Sequence, residues 1–207
     1  MLTATASPDL VFTENHTSTV IYGKTTGFNA EIDANTLDAT DGLRLVDTGE
    51  EDIRTTRLIG DVNGDGFEDL AINTSERYTV PTDNGVQHKT RRNSYVVFGN
   101  QDGLLTQIDL ATINGVNGFE LLNPDEEYTI GIVPAGDVNN DGFADMVLGT
   151  GGADPHGIFD AGRAYLVFGS AGGYAPVIDL TTLDGAGHPL QRRPAPGGRG
   201  SDSQQRR

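Results

Sequence analysis

The chain contains the segment DVNGDGFED at residues 61–69 and a second copy, DVNNDGFAD, at residues 137–145. Both follow the pattern DxNxDGxxD, which places oxygen-bearing side chains at positions one, three, five and nine. A hard divalent cation such as calcium takes about six to eight oxygen ligands, and a curled loop directs alternating side chains to one point. Glycine at position six provides the backbone freedom that a tight reversal requires. The two segments therefore predict two calcium-binding loops.

A solvated acidic turn is the alternative interpretation, because Asp, Asn and Gly are also the usual residues of surface turns. The repetition favours the metal. The two copies lie 76 residues apart and share the five motif positions and a Phe after the glycine.

Position twelve distinguishes two kinds of calcium loop. An EF-hand has a bidentate Glu there, whereas this chain has Ile72 and Leu148. Both lie in short apolar runs, which are typical of strands, and further apolar runs at residues 58–60 and 132–136 precede the loops. We therefore expect each loop to join the two strands of a β-hairpin.

A larger repeat surrounds these loops. The segments TVIYG (19–23), YVVFG (95–99) and YLVFG (165–169) align, and each is followed nine residues later by an Ile-Asp pair. The connection between the acidic loop and the aromatic-Gly strand differs in length between the copies, and surface loops accept insertions more readily than strands do. Residues 76–92 and 151–163 are thus predicted to be variable, exposed loops.

Each unit has about four predicted strands: one before the acidic loop, one after it, the aromatic-Gly strand and a fourth, which is found at residues 119–122 in the unit that starts at residue 95. Tandem four-stranded units are typical of the blades of a β-propeller, in which neighbouring sheets stack face to face. The expected fold is all-β, a partial β-propeller of about two to three blades.

These features resemble the FG-GAP repeats of integrin α-subunit N-terminal propellers and their bacterial relatives. The resemblance rests on the Phe-Gly pairs at 98–99 and 168–169 and on the Gly-Asp pairs that open the acidic loops, and it covers residues 18–187. It implies one calcium ion in each loop, held by four side chains and the carbonyl group at position seven. The implied ligands are Asp61, Asn63, Asp65, the Phe67 carbonyl and Asp69 in the first site, and Asp137, Asn139, Asp141, the Phe143 carbonyl and Asp145 in the second.

Composition limits the class of protein. A net charge of −16 on 207 residues disfavours nucleic-acid binding, and the 28 glycines suit a loop-rich β protein. The absence of cysteine excludes disulfides and thiolate metal sites. We expect an extracellular or cell-surface location and no membrane span, although the N-terminus lacks the pattern of a signal peptide.

The domain organisation predicted from the sequence has two parts. Residues 1–187 form the repeat segment, with units that restart near residues 19, 95 and 165. Residues 188–207 carry five of the fourteen basic residues and one acid, and have too few apolar groups to fold. This disordered tail is interpreted either as a basic arm that contacts an anionic surface or as non-native, out-of-frame sequence. The abrupt change inside a repeat unit favours the second interpretation.

Three functions are compatible with these patterns. The leading hypothesis is a non-catalytic extracellular module for adhesion or for binding a protein or carbohydrate ligand, with calcium in a structural role. The second is an accessory propeller of a larger secreted or surface hydrolase. The third, catalysis by this chain, is disfavoured because the four histidines show no zinc-site spacing. Partners are expected to include the remaining blades of a parent protein or further copies of the chain.

Overall fold

The computed structural model describes residues 9–14, 17–28, 31–33, 36–37, 41–46, 51–83, 85–99, 109–122, 128–151 and 161–183. The predicted tail at residues 188–207 and most of the second variable connection, residues 152–160, lie outside the described residues.

The described residues are almost entirely β-structure, so the predicted all-β class is confirmed. They form twelve strands: β1 (Leu10–Glu14), β2 (Thr17–Ile21), β3 (Gly42–Val46), β4 (Asp52–Gly60), β5 (Asp69–Thr82), β6 (Gly85–Arg91), β7 (Ser94–Val97), β8 (Gly118–Leu122), β9 (Tyr128–Gly136), β10 (Asp145–Gly151), β11 (Arg163–Val167) and β12 (Val177–Asp179). Two short 3-10 helices, Leu110–Thr112 and Leu180–Thr182, follow the Ile-Asp pairs. Asp109 and Asp179 cap them, because each carboxylate accepts the N–H group of the residue two positions later, at 3.0 and 2.9 Å.

The strands form three sheets. The first has the order β1-β2-β3, the second β12-β8-β7-β5-β4, and the third β11-β10-β9, while β6 pairs with the far end of β5. Most neighbouring strands are antiparallel, and β12 joins β8 in parallel. The curled arrangement is compatible with a segment of a β-propeller.

The strand pairing after the two acidic loops is equivalent. Leu70, which follows the first acidic loop, pairs with Val97 of the aromatic-Gly strand. Met146, which follows the second loop, pairs with Val167. These are equivalent positions in the two copies, so the difference in length between the units is confined to the connection between β5 and β7 or between β10 and β11.

That connection differs from the predicted loop in the first copy. Residues 76–82 continue β5 and pair with β6 as a two-stranded ribbon, from Glu76 opposite Arg91 to Thr82 opposite Gly85. Turn-forming residues such as Pro81 and Gly85 led to the prediction of a loop, yet they occupy only the outer end of the ribbon. No residue of the ribbon is buried, and so the sequence lacks the apolar alternation by which a strand is recognised.

The core lies in two layers between the three sheets. The layer between the first and second sheets includes Val20, Leu45, Leu70, Ile72, Tyr95 and Val97. The layer between the second and third includes Ala71, Val96, Phe98, Phe119, Ile132, Met146 and Val167. Successive residues of β5 and β7 alternate between the layers, as the two-residue period of a strand requires. The middle sheet thus buries both faces, as predicted for a stacked unit.

The outer faces of the first and third sheets carry exposed apolar side chains. Leu10 and Phe12 of β1 are 57% and 41% exposed, and Val133 of β9 and Leu166 of β11 are 42% and 37% exposed. Val133 and Leu166 both pair with Val147, so the three side chains form a row across the third sheet. Within the part of the chain that is described, the helices are too short to cross a membrane.

Candidate metal centre

The acidic loops connect the strands of two equivalent hairpins. The first joins β4 to β5, where Gly60 pairs with Asp69, and the second joins β9 to β10, where Gly136 pairs with Asp145. The prediction that the loops lie between strands and not between helices is confirmed. Each loop is thus the turn of its hairpin.

Hydrogen bonds within the first loop draw its polar side chains together. One carboxylate oxygen of Asp61 accepts the N–H group of Gly64 at 2.6 Å, and the other accepts that of Gly66 at 2.8 Å. The Asn63 side-chain amide donates to a carboxylate oxygen of Asp65 at 2.9 Å. The side chains at positions one, three and five therefore line a single turn of backbone.

The second loop repeats this arrangement. The carboxylate of Asp137 accepts the N–H groups of Asp141 and Gly142 at 3.0 and 2.9 Å. The amide of Asn139 donates to the Asp141 carboxylate at 2.9 Å. Asn140 has a φ of 60° at the position that Gly64 occupies in the first loop, and asparagine is among the few residues other than glycine that adopt this conformation readily.

Position seven also has a fixed place in each loop. The N–H group of Phe67 donates to Asp65 at 2.9 Å, and that of Phe143 donates to Asp141 at 3.0 Å. Both aromatic rings are half-buried. The carbonyl groups of these two residues, which the family resemblance assigns to the metal, therefore belong to the same turns as the carboxylates.

The carboxylates at position nine also bind backbone N–H groups. Asp69 is fully buried, and its two oxygens accept the N–H groups of Val62 at 2.8 Å and Gly99 at 2.9 Å. Asp145 is bound in the same way by Val138 at 2.7 Å and by Gly169 at 2.9 Å. Each position-nine Asp thus fastens the acidic loop to the glycine of the Phe-Gly pair.

This link explains the glycine of the Phe-Gly pair. A Cβ atom on Gly99 would lie 2.4 Å from the carbonyl oxygen of Glu68, and a Cβ atom on Gly169 would lie 2.5 Å from that of Ala144. Both distances are shorter than van der Waals contact allows. Only glycine lets the end of the aromatic-Gly strand approach the loop closely enough for the position-nine carboxylate to bind it.

Burial changes the acidity of one of these groups. Desolvation raises the pKa of Asp69 from 3.8 to about 7, although the N–H groups of Val62 and Gly99 oppose the shift. The nearby carboxylates of Asp65 and Asp61 raise the pKa further. A bound dication would favour the ionised form of all three carboxylates.

A third contact between a buried Asp and the glycine of an aromatic-Gly pair was not predicted from the sequence. Asp9 is buried, and its carboxylate accepts the N–H group of Gly23 at 2.5 Å. Asp9 stands in the place of Asp69 and Asp145, but the segment before it does not contain the acidic motif. The Tyr22-Gly23 pair that corresponds to Phe-Gly was the available signal, since it implies a carboxylate partner upstream.

The two acidic loops contact one another directly. The N–H group of Ala144, at position eight of the second loop, donates to the carbonyl oxygen of Asp61 at 2.9 Å. A Cβ atom on Gly64 would lie 2.3 Å from the ring of Phe143, so that ring rests on the first loop. The contacts place both loops at one junction between the second and third sheets.

Further contacts secure this junction. The Val62 carbonyl oxygen accepts hydrogen bonds from the N–H group of Ser170 and the hydroxyl group of Tyr174, both at 2.8 Å. The ring of Tyr174 stacks on Phe119 with 4.4 Å between centroids. Ser170 and Tyr174, which follow β11, thus hold the first acidic loop against the core.

The donor set of each loop fits a hard cation. The side chains that could contribute to a site are Asp61, Asn63, Asp65 and Asp69, and in the second loop Asp137, Asn139, Asp141 and Asp145; they offer oxygen ligands, as calcium prefers. Among the described residues, no three acidic, histidine or cysteine side chains are clustered closely enough to hold a metal ion. Both oxygens of each position-nine carboxylate bind backbone N–H groups. Two carboxylates and one side-chain amide line the turn of each loop. In the first loop, Asp61 Oδ1 accepts two N–H groups, whereas Asp61 Oδ2 and both oxygens of Asp65 accept one hydrogen bond each. An oxygen that accepts one hydrogen bond retains a further lone pair for a ligand.

Comparison with known proteins supports the repeat. The family model of the FG-GAP repeat matches residues 131–167, a segment that includes most of β9, the second acidic loop, β10 and β11. No curated protein matches the chain. The segment that carries the second candidate site is therefore similar to an FG-GAP repeat, as the motifs suggested.

Proposed function

We propose that the chain is a non-catalytic binding module of propeller type whose stacked sheets are stabilised by two calcium ions. In this proposal it comprises two to three blades and acts outside the cell in adhesion or ligand binding. The observation that carries the proposal is the equivalence of the two acidic loops, which share their motif, hydrogen bonds and position in a hairpin and meet at one junction.

The junction gives calcium a structural role. Without a cation, Asp61 and Asp65 repel one another in one loop and Asp137 and Asp141 do so in the other. Because the loops are joined by the hydrogen bond between Ala144 and Asp61, a cation that orders one loop also stabilises the contact between the second and third sheets. Calcium would thus hold neighbouring blades together.

The expected affinity favours an extracellular location. Neither loop has the bidentate Glu of a high-affinity EF-hand, and sites of this kind have dissociation constants on the order of micromolar to millimolar. Such sites would be filled outside a cell and mostly empty in resting cytosol.

The non-catalytic assignment rests on how the buried carboxylates are used. Asp69 and Asp145 are the most buried acidic groups of the two loops, and both bind backbone N–H groups. Carboxylates engaged in this way position the backbone and are poorly placed to transfer a proton to a substrate.

Calorimetric titration with calcium tests the proposal. The wild-type chain should bind two ions, Asp65→Ala should bind one, and Asp65→Ala combined with Asp141→Ala should bind none. The variant Asp83→Ala, which removes a carboxylate from the tip of the ribbon, should retain both sites. Two sites in Asp65→Ala would show that calcium binds elsewhere and would refute the assignment.

A further inference from the structure

A polar cavity lies at the base of the ribbon, outside the acidic loops. Its volume is 450 Å³, which is within the range of about 300–1,000 Å³ typical of small-molecule sites. The residues that line it come from β4, β5, β6 and the segment after β6: Arg54, Thr55, Asn73, Thr74, Ser75, Arg77, Thr90 and Arg92.

The charge of this lining is opposite to that of the chain. Three of its eight residues are arginines and none is acidic, although the chain has 30 acidic and 14 basic residues. The other five carry hydroxyl or amide groups. The chain is acidic overall, whereas the lining of this cavity combines positive charge with hydrogen-bond donors.

Strand geometry brings the arginines to one face. Ser75 and Arg77 are two residues apart on β5 and so point to the same side of the strand. Arg77 pairs with Thr90 of β6, and Arg92 lies two residues beyond Thr90. Arg54 reaches the same face from β4, where its guanidinium Nε donates to the Ser75 hydroxyl at 2.7 Å.

The neighbouring Arg91 has a different environment. It pairs with Glu76 across the ribbon, with 3.8 Å between its guanidinium and that carboxylate, and its guanidinium lies 5.4 Å from the ring centre of Tyr78. These contacts are on the opposite face of the ribbon. Arg91 therefore offers a control for Arg92 with the same charge and nearly the same position in the chain.

We propose that this cavity binds a small ligand that carries at least two oxyanion groups, sulfate or carboxylate. Guanidinium groups bind such groups through paired, charge-assisted hydrogen bonds. Arg54, Arg77 and Arg92 supply the cationic donors from three separate segments, and the hydroxyl groups of Ser75 and Thr90 add neutral ones. Separate arginines favour a ligand with more than one anionic group over a single inorganic anion.

The inference rests on the proposed binding function, for which it names a class of ligand. It does not depend on calcium binding. Arg54 and the first acidic loop lie at opposite ends of β4, and seven residues of extended strand span roughly 20 Å. Loss of the anion site should therefore leave calcium binding unchanged, and the two proposals can fail separately.

The test uses the full-length chain in excess calcium and measures binding by calorimetry with two probes, sucrose octasulfate and triglutamate. Uncharged sucrose is the control ligand. The proposed site should bind at least one of the two anionic probes, and which one binds identifies a sulfated or a carboxylate ligand. Arg77→Gln and Arg92→Gln should each raise the dissociation constant about tenfold, whereas Arg91→Gln should change it less than about twofold.

Binding of neither probe by a chain that still binds calcium would overturn the inference. Equal losses in Arg91→Gln and Arg92→Gln would also overturn it, since they would indicate only a general effect of surface charge. Retained calcium binding in each variant verifies that the variants are folded.

Discussion

The backbone amide of Ala144 donates a hydrogen bond of 2.9 Å to the carbonyl oxygen of Asp61, and so the eighth residue of one acidic loop is fixed to the first residue of the other. Two candidate metal loops that lie 76 residues apart in the sequence are thereby neighbours in space. Calcium binding at one loop should therefore change the calcium affinity of the other.

This contact predicts that the two calcium sites are coupled. Asp141→Ala should abolish the second site and weaken the first about fivefold, because the first loop then loses an ordered neighbour. Calorimetric titration measures both effects, and Asp83→Ala is again the control for a lost charge. An unchanged affinity at the first site would contradict coupling through the shared hydrogen bond.

The carboxylates at positions five and nine should respond differently to the same substitution. Asp69→Asn replaces a buried acceptor of two N–H groups and should lower the free energy of unfolding by about 2 kcal/mol even without calcium. Asp65→Asn alters an exposed side chain and should leave the calcium-free stability almost unchanged while weakening calcium binding. Urea denaturation in a chelator separates the two, and equal losses of stability would refute the distinction.

The glycine of the Phe-Gly pair should not tolerate a side chain. Gly99→Ala places a Cβ atom 2.4 Å from the Glu68 carbonyl oxygen and should destabilise the fold by about 3 kcal/mol, at the upper end of overpacking effects. Gly85→Ala is the comparison, because a Cβ atom there meets nothing within 4 Å and only the positive φ opposes it. Its expected cost is about 1 kcal/mol. Equal costs in thermal or urea unfolding would show that the close approach is unimportant.

The raised pKa of Asp69 predicts how the calcium-free protein responds to pH. Its pKa is about 7 in the folded chain and 3.8 as the reference value, so between these values the folded state binds more protons than the unfolded state. The free energy of unfolding should therefore fall as the pH rises through this range. Urea denaturation at several pH values measures the slope. Asp69→Asn should flatten it, and a slope that is no flatter in the variant would assign the effect to other groups.

The exposed outer face of the third sheet predicts self-association. Val133, Val147 and Leu166 form an apolar row there, and exposed sheet faces and edges favour pairing with further chains. Val133→Thr combined with Leu166→Thr replaces two apolar side chains with polar ones that are β-branched and so remain compatible with a strand. The double variant should weaken association about tenfold, equivalent to about 1.4 kcal/mol. Sedimentation velocity measures this, and a monomeric wild-type chain would contradict the prediction.

Much of the fold could be predicted from the sequence because the motifs fix local geometry. The acidic loops and their apolar flanks defined two hairpins, and the aligned Tyr95 and Tyr165 segments defined the strand that pairs with each. The ribbon could not be predicted in this way. No residue of the ribbon is buried. Burial therefore does not impose on its strands the run of apolar residues that reveals β5 near Leu70.

The acidic loops could be located from the sequence, but the contacts of their residues could not. Asp69 follows the ligand pattern, but its burial and its hydrogen bonds to Val62 and Gly99 depend on a strand 30 residues away. Asp9 was missed for a related reason, because its role comes from its contact with Gly23 and not from an acidic motif around it. The arginine-lined cavity likewise depends on residues from three strand segments that only the folded sheet brings together.

Thermal unfolding of the wild-type chain in calcium and in chelator tests the central claim most directly. If both acidic loops bind calcium in the folded state alone, a free concentration of about 100 times the dissociation constant should add about 2.7 kcal/mol of stability for each site and raise the melting temperature by several degrees. Asp65→Ala combined with Asp141→Ala should remove the shift. The same melting temperature with and without calcium would contradict the claim that these loops bind the ion and use it to join neighbouring sheets.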